Sequence, residues 1–162
     1  MPESKLVEID EFSVMGIEVS TSPAREADRR TARLPQLWGV FFSQDIAGKI
    51  PHAKDRNEHL GLYSDYDQDP KSPNFGSYAA IAGCEVTEVE EVPEGMVAMT
   101  VPAGHYLLFE AKGPMPETLI QTWEEITRFF EATSQYVRAY TVDFDLYRKD
   151  EPETVEIFVS VK

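Results

Sequence analysis

The most constraining feature of the chain is that it states one pattern twice, about half its length apart. Leu34, Gln36 and Trp38, followed by the pair Phe41 and Phe42, return as Leu119, Gln121 and Trp123, followed by Phe129 and Phe130. The flanks correspond as well: Ile17-Glu18-Val19 precedes the first copy and Phe109-Glu110-Ala111 the second, with Tyr63 and Tyr147 at similar distances downstream. A repeat of this period predicts one domain, 1–162, built from two copies of a supersecondary unit rather than a solenoid of many short repeats. A groove between two such copies is the first place to look for a ligand site.

Periodicity outlines the unit. Leu34, Leu37, Trp38, Phe41 and Phe42 fall at i, i+3, i+4, i+7 and i+8, which places them on one helical face, with Pro35 in the first turn and Gly48 and Pro51 beyond the end. In the second copy Leu119, Trp123, Ile126 and Phe130 form a 4-3-4 stripe behind Pro116 and Glu117. Strands are expected over Leu6–Ser20, with Gly16 as a candidate bulge, and over Leu60–Tyr66, Ser77–Val89, Met96–Val101 and His105–Ala111. Two more, Tyr136–Tyr147 and Thr154–Val161, make a hairpin across Arg148–Glu153. Pro93-Glu94-Gly95 separates a first repeat of about 5–90 from a second of about 95–162. The predicted class is α+β, two β-α-β-β units with an extra strand.

Charge narrows the partners. A formal net charge of -14 repels phosphates, so neither nucleic acid nor an anionic membrane surface is expected, while cationic and neutral ligands stay open. Cys84 is the only cysteine, which excludes an intrachain disulfide and a cysteine-based zinc cluster; its apolar strand predicts a buried small hydrophobe. The segment MPESKLVEID has no apolar signal core and no run approaches a membrane span, so a cytoplasmic protein is expected.

The most informative local stretch runs from Arg138 to Tyr147. In a strand, Asp143, Asp145 and Tyr147 share one face while Phe144 and Leu146 share the other, which suits packing beneath a helix. Carboxylates beside aromatic rings suit a cation, since a ring face adds about 0.5–2 kcal/mol of attraction. Glu156 and Phe158 repeat the pairing on the next strand. Against this, charged residues on strands mostly face solvent, and tryptophans on helical stripes mostly fill cores.

Other motifs point away from metals and catalysis. Asp65, Asp67 and Asp69 alternate as in a calcium loop, but Pro70 stands where an EF-hand needs Gly and Gly76 where it needs Glu, so a solvated loop is expected. His52, His59 and His105 have no metal-ligand spacing with one another, and no zinc-protease helix, nucleophile elbow or phosphate loop is present. No metal, cofactor or catalytic residue is assigned.

Taken in order, Leu37-Trp38, Leu62-Tyr63-Ser64-Asp65-Tyr66-Asp67, Ile81-Ala82-Gly83-Cys84-Glu85-Val86, Val101-Pro102-Ala103-Gly104-His105-Tyr106, Trp123-Glu124-Glu125-Ile126 and Asp143-Phe144-Asp145-Leu146-Tyr147 resemble the GyrI-like, AraC-type effector-binding domains also used by BmrR-like sensors. Within these the chain is most similar to stand-alone integron cassette effector-binding proteins. The resemblance implies pseudo-twofold symmetry, an antiparallel sheet with two main helices, and a pocket where the halves meet. Drug-binding members hold lipophilic cations with aromatic walls and an acid. That acid falls at Asp145, which stands where the family usually has Glu and is one methylene shorter, so Glu156 is a candidate to share its role.

The walls implied are Tyr78, Trp123, Tyr140, Tyr147 and Phe158, with Trp38 and Tyr63 bordering the groove. The expected partner is a small molecule, with a lipophilic cation as the leading class. Such domains often follow a helix-turn-helix, for which the first strand, beginning near Met1, leaves no room. Two rival readings remain: a small-molecule hydrolase using the same acid and aromatics, and a protein-interaction role, with a partner or a second copy meeting the acidic surface.

Overall fold

The computed structural model describes residues 3–162. In chain order the elements are β1 (Ser4–Ile9), β2 (Phe12–Thr21), α1 (Pro23–Glu26), α2 (Leu34–Ser43), α3 (Ile46–Lys49), β3 (Glu58–Ser64) and β4 (Tyr78–Val86). There follow β5 (Val97–Val101), β6 (Gly104–Lys112), α4 (Glu117–Ala132), β7 (Val142–Arg148) and β8 (Thr154–Ser160). The strands form one antiparallel sheet in the order β1-β6-β8-β7-β3-β4-β2-β5. Exchanging β1 with β5, β2 with β6, β3 with β7 and β4 with β8 returns the same order reversed. The duplicated sequence is thus expressed as a pseudo-twofold whose axis passes between β3 and β7.

Several strand boundaries differ from the sequence expectation. Leu6–Ser20 is two strands, interrupted at Asp10 and Glu11: β1 pairs with β6 of the second half, while β2 pairs with β4 and with β5. Each half therefore lends its first strand to the other half. No bulge forms at Gly16, whose register with Gly83 is continuous; a Cβ there would lie 2.1 Å from the Ala82 carbonyl oxygen. β3 stops at Ser64 because Asp65 is left-handed (φ 54), and β4 ends at Val86 rather than Val89. β7 starts only at Val142, since Tyr140 is also left-handed (φ 55) and Arg138 makes just one bridge, to Val161.

Both helices appear where the apolar spacing puts them. The N-terminus of α2 has no capping side chain of its own; the Glu26 carboxylate instead accepts from the Arg33 amide at 2.8 Å and the Leu34 amide at 3.1 Å. This fills orphan donors and sets a negative charge at the positive end of the helix dipole. α2 packs Leu37 and Phe41 against Met15, Ala80, Ala82 and Cys84, and α4 packs Ile126 against Phe109, Ile157 and Val159. Cys84 is fully buried as expected, and desolvation pushes its thiol up to about 11. No helix among the described residues is long and apolar enough to cross a membrane.

Among the described residues, no helix covers the opposite face of the sheet. Its cluster contains only strand residues, from Val7 and Ile9 of β1 to Val97 and Met99 of β5, around Leu60, Tyr106, Phe144 and Phe158. The cluster runs from one edge of the sheet to the other through the strands between them. Phe144 and Leu146 belong to this strand-only side. That corrects the expectation that they pack beneath a helix.

Candidate functional site

At the pseudo-axis, β3 and β7 pair so that Gly61 lies opposite Asp145, Tyr63 opposite Asp143 and His59 opposite Tyr147. The pleat turns these residues toward the helices. Asp143 and Asp145 are both fully buried, against the expectation that strand acids face solvent. They have opposite surroundings.

Asp143 carries its own cation. Its Oδ2 accepts from the Arg138 guanidinium at 2.6 Å and from the Tyr66 hydroxyl at 2.6 Å, while Oδ1 accepts from the Ser160 amide at 2.8 Å and its hydroxyl at 3.1 Å. Arg138 in turn lies over the Tyr140 ring, 4.5 Å from the centroid. The carboxylate is thus charge-paired with both oxygens satisfied, while the buried Arg138 Nε is left without a partner.

Asp145 has no cationic partner among the described residues. Its Oδ2 accepts from the Tyr63 hydroxyl at 2.8 Å and the Tyr147 hydroxyl at 3.2 Å, and its buried Oδ1 has no hydrogen-bond partner. Desolvation, helped by the nearby Asp143 charge, pushes its pKa up to about 7, against the opposing pull of the Tyr63 and Tyr147 hydroxyls and a weaker pull from the Trp123 indole N–H. Burial first, and then the Asp145 charge, hold both phenols well above their ordinary range, so they remain donors.

The aromatic walls cross the axis. Trp38 of α2 meets Tyr147 of the second half edge-on at 5.2 Å, and Trp123 of α4 meets Tyr63 of the first half at 6.0 Å. Tyr78 extends the group, 5.9 Å from Tyr63. Five of the expected aromatics, Trp38, Tyr63, Tyr78, Trp123 and Tyr147, thus gather around one carboxylate.

Three expected residues are elsewhere. Tyr140 lies before β7, 40% exposed, stacked on Arg138 rather than on Asp145. Phe158 faces the strand-only side, stacked on Phe144 at 4.5 Å. Glu156 is paired in register with Leu146 and holds Arg148 at 2.5 Å, so it cannot share the Asp145 position. The grouping failed on register: two neighbouring strands were given a common face that their pairing denies.

Gly61 was missed. A Cβ there would lie 3.2 Å from the Tyr63 hydroxyl oxygen, 3.3 Å from Trp38 Cζ2 and 3.7 Å from Asp145 Oδ2, so its lack of a side chain lets Tyr63 and Trp38 close in beside the carboxylate. The available signal was a glycine inside an apolar strand, which marks close approach. Gly61→Val is expected to lower stability by about 1–3 kcal/mol through overpacking, read by urea denaturation. An unchanged midpoint would refute the close fit.

The aspartate loop behaves as the sequence suggests. Asp67 accepts from the Ser72 hydroxyl and the Asp69 amide, and Asp69 accepts from the Lys71 amide, so both brace the turn. One exposed trio, His52 with Glu88 and Glu90, has metal-like proximity. Its two ring nitrogens face different carboxylates, at 3.3 and 3.5 Å, which is the pattern of a bridging histidine on an acidic surface.

Residues 5–161 match the family described as Cass2, integron-associated effector binding protein. The chain belongs to this family. Among solved structures, the integron cassette protein VCH_CASS2 of Vibrio cholerae is 32% identical, with a TM-score of 0.79 over 98% of this chain and 95% of that one. The transcriptional regulator BrlR of Pseudomonas aeruginosa is 32% identical over 89% of this chain and 47% of its own length. This chain therefore spans about half of BrlR. The structure of SAV2435 bound to tetraphenylphosphonium has a TM-score of 0.79 over 99% of this chain and 94% of that one. At 17% identity that likeness is one of fold. The Cass2 chain is thus an effector-binding protein with the GyrI-like fold.

Proposed function

We propose that this Cass2 protein binds small lipophilic organic cations between its two halves, with Asp145 as counter-ion and Trp38, Tyr63, Trp123, Tyr147 and Tyr78 as walls. The observation that carries the reading is the unmatched burial of Asp145: a carboxylate without a cation, with one oxygen unsatisfied, inside an aromatic ring set. Such a group is costly to ionise in the empty site and gains most from a ligand that brings positive charge and apolar surface together. Asp143, two residues away, lacks that capacity because Arg138 already occupies it. SAV2435, of the same fold, was solved with a cation of this class.

Tetraphenylphosphonium is the probe, and tryptophan emission the signal, because both indoles border the site. At pH 8, Asp145→Asn is expected to weaken binding about thirtyfold, the lower end of the cost of removing one partner of a buried charge pair. Binding must displace the proton that Asp145 holds below about 7, so wild-type affinity is expected to fall about tenfold per pH unit on acidification below that point and to level off above it. Equal affinity in wild type and Asp145→Asn at pH 8 would remove Asp145 from the site.

A further inference from the structure

The strand-only face carries a second concavity, on the far side of β3 and β7 from Asp145. It encloses about 320 Å³, within the range of small-molecule sites, and its floor is aromatic. Phe144 stacks on Phe158 at 4.5 Å, and Phe12 meets Phe144 edge-on at 5.3 Å. No helix shields this side.

Its rim is acidic. Asp10 and Glu11 come from the β1–β2 turn, Asp55 from the connection before β3, Glu58 from β3 and Glu85 from β4. Two of these five are already paired, Glu85 with Lys54 at 3.4 Å and Glu58 with Arg148 at 3.5 Å, which leaves Asp10, Glu11 and Asp55 as the charges a ligand can meet. The three unpaired carboxylates give the rim a net negative charge. Negative charge around the hollow focuses attraction on a cation, and the half-buried Phe12 together with the rims of the buried Phe144 and Phe158 offers apolar surface beneath it.

We propose that this hollow is a second binding site, for small organic monocations whose apolar tail lies on Phe12, Phe144 and Phe158 while the ammonium meets the rim. It is independent of the Asp145 site. Residues 144 and 145 point to opposite faces of one strand, so the two ligands are separated by a single sheet layer. Their electrostatics also differ: Asp10, Glu11 and Asp55 are exposed and screened by salt, whereas Asp145 is buried.

The test follows methyl NMR signals of Ile9, Leu60 and Leu146 in the full chain during titration with 4-phenylbutylammonium. The expected result is saturable shifts at these methyls, affinity within twofold of wild type in Asp145→Asn, and a loss of about tenfold in Asp10→Asn/Glu11→Gln/Asp55→Asn. Asn57 keeps its 2.9 Å bond to position 55, because asparagine retains that acceptor oxygen. Shifts confined to the Trp38 and Trp123 indoles, undiminished affinity in the triple variant, or equal binding of neutral 4-phenylbutanol would each overturn the proposal.

Discussion

Replacing Arg138 with Met is expected to destabilise the protein by about 3–5 kcal/mol, because it leaves the Asp143 carboxylate charged, buried and without its cation. Asp143 has no solvent exposure, and the Arg138 side chain has 14%. Tyr66 and Ser160 would still donate three hydrogen bonds, which caps the loss. Urea denaturation of Arg138→Met, Asp143→Asn and the double variant separates the pair from its parts. The double variant is expected to recover most of the loss, since the uncompensated charge is gone. A loss under about 1 kcal/mol in Arg138→Met would class the pair with ordinary surface bridges.

This network shows what in the fold was legible and what was not. The paired motifs around Trp38 and Trp123 carried the duplication and both main helices, because helical spacing is a local signal. The strand exchange was not legible. Nothing in the spacing of Ser4–Ile9 tells whether it pairs with β2 or with β6, since pairing partners are decided by the whole sheet. The left-handed turns at Asp65 and Tyr140 were likewise hidden, because neither residue is the glycine that usually announces such a backbone.

Within the site, the alternation of Asp143, Asp145 and Tyr147 correctly grouped three residues on one face and left open which face was inside. What it missed was the difference between the two acids. Arg138 is five residues before Asp143 and lies outside the strand, so its role depends on the irregular stretch that brings it back over the carboxylate. Glu156 offered a similar pattern one strand away and lies on the other face of the sheet, neutralised by Arg148. Composition supplies acids and aromatics; register and pairing decide which acid is left without a cation.

Asp145 should therefore respond to substitution in the opposite sense from Arg138. With a pKa of about 7 in the folded protein and about 3.8 when unfolded, the folded state retains a proton across that interval that the unfolded state has released. The stability contributed by Asp145 is then lost as pH rises from about 4 to 7, at about 1.4 kcal/mol per unit, a total near 4 kcal/mol, and changes no further above that. Asp145→Asn cannot ionise. Its stability relative to wild type is expected to grow by about 4 kcal/mol between pH 4 and pH 8, whatever constant offset the buried amide introduces. Paired urea titrations at pH 4, 6 and 8 measure this directly, since all other titrating groups cancel in the difference. A pH-independent difference would mean that Asp145 titrates alike in both states, and the strain attributed to the empty site would vanish with it. A growing difference, together with the loss of cation binding at pH 8, would identify Asp145 as a group that destabilises the empty protein at neutral pH and is relieved by its ligand, the trade expected where function rather than folding selects a buried charge.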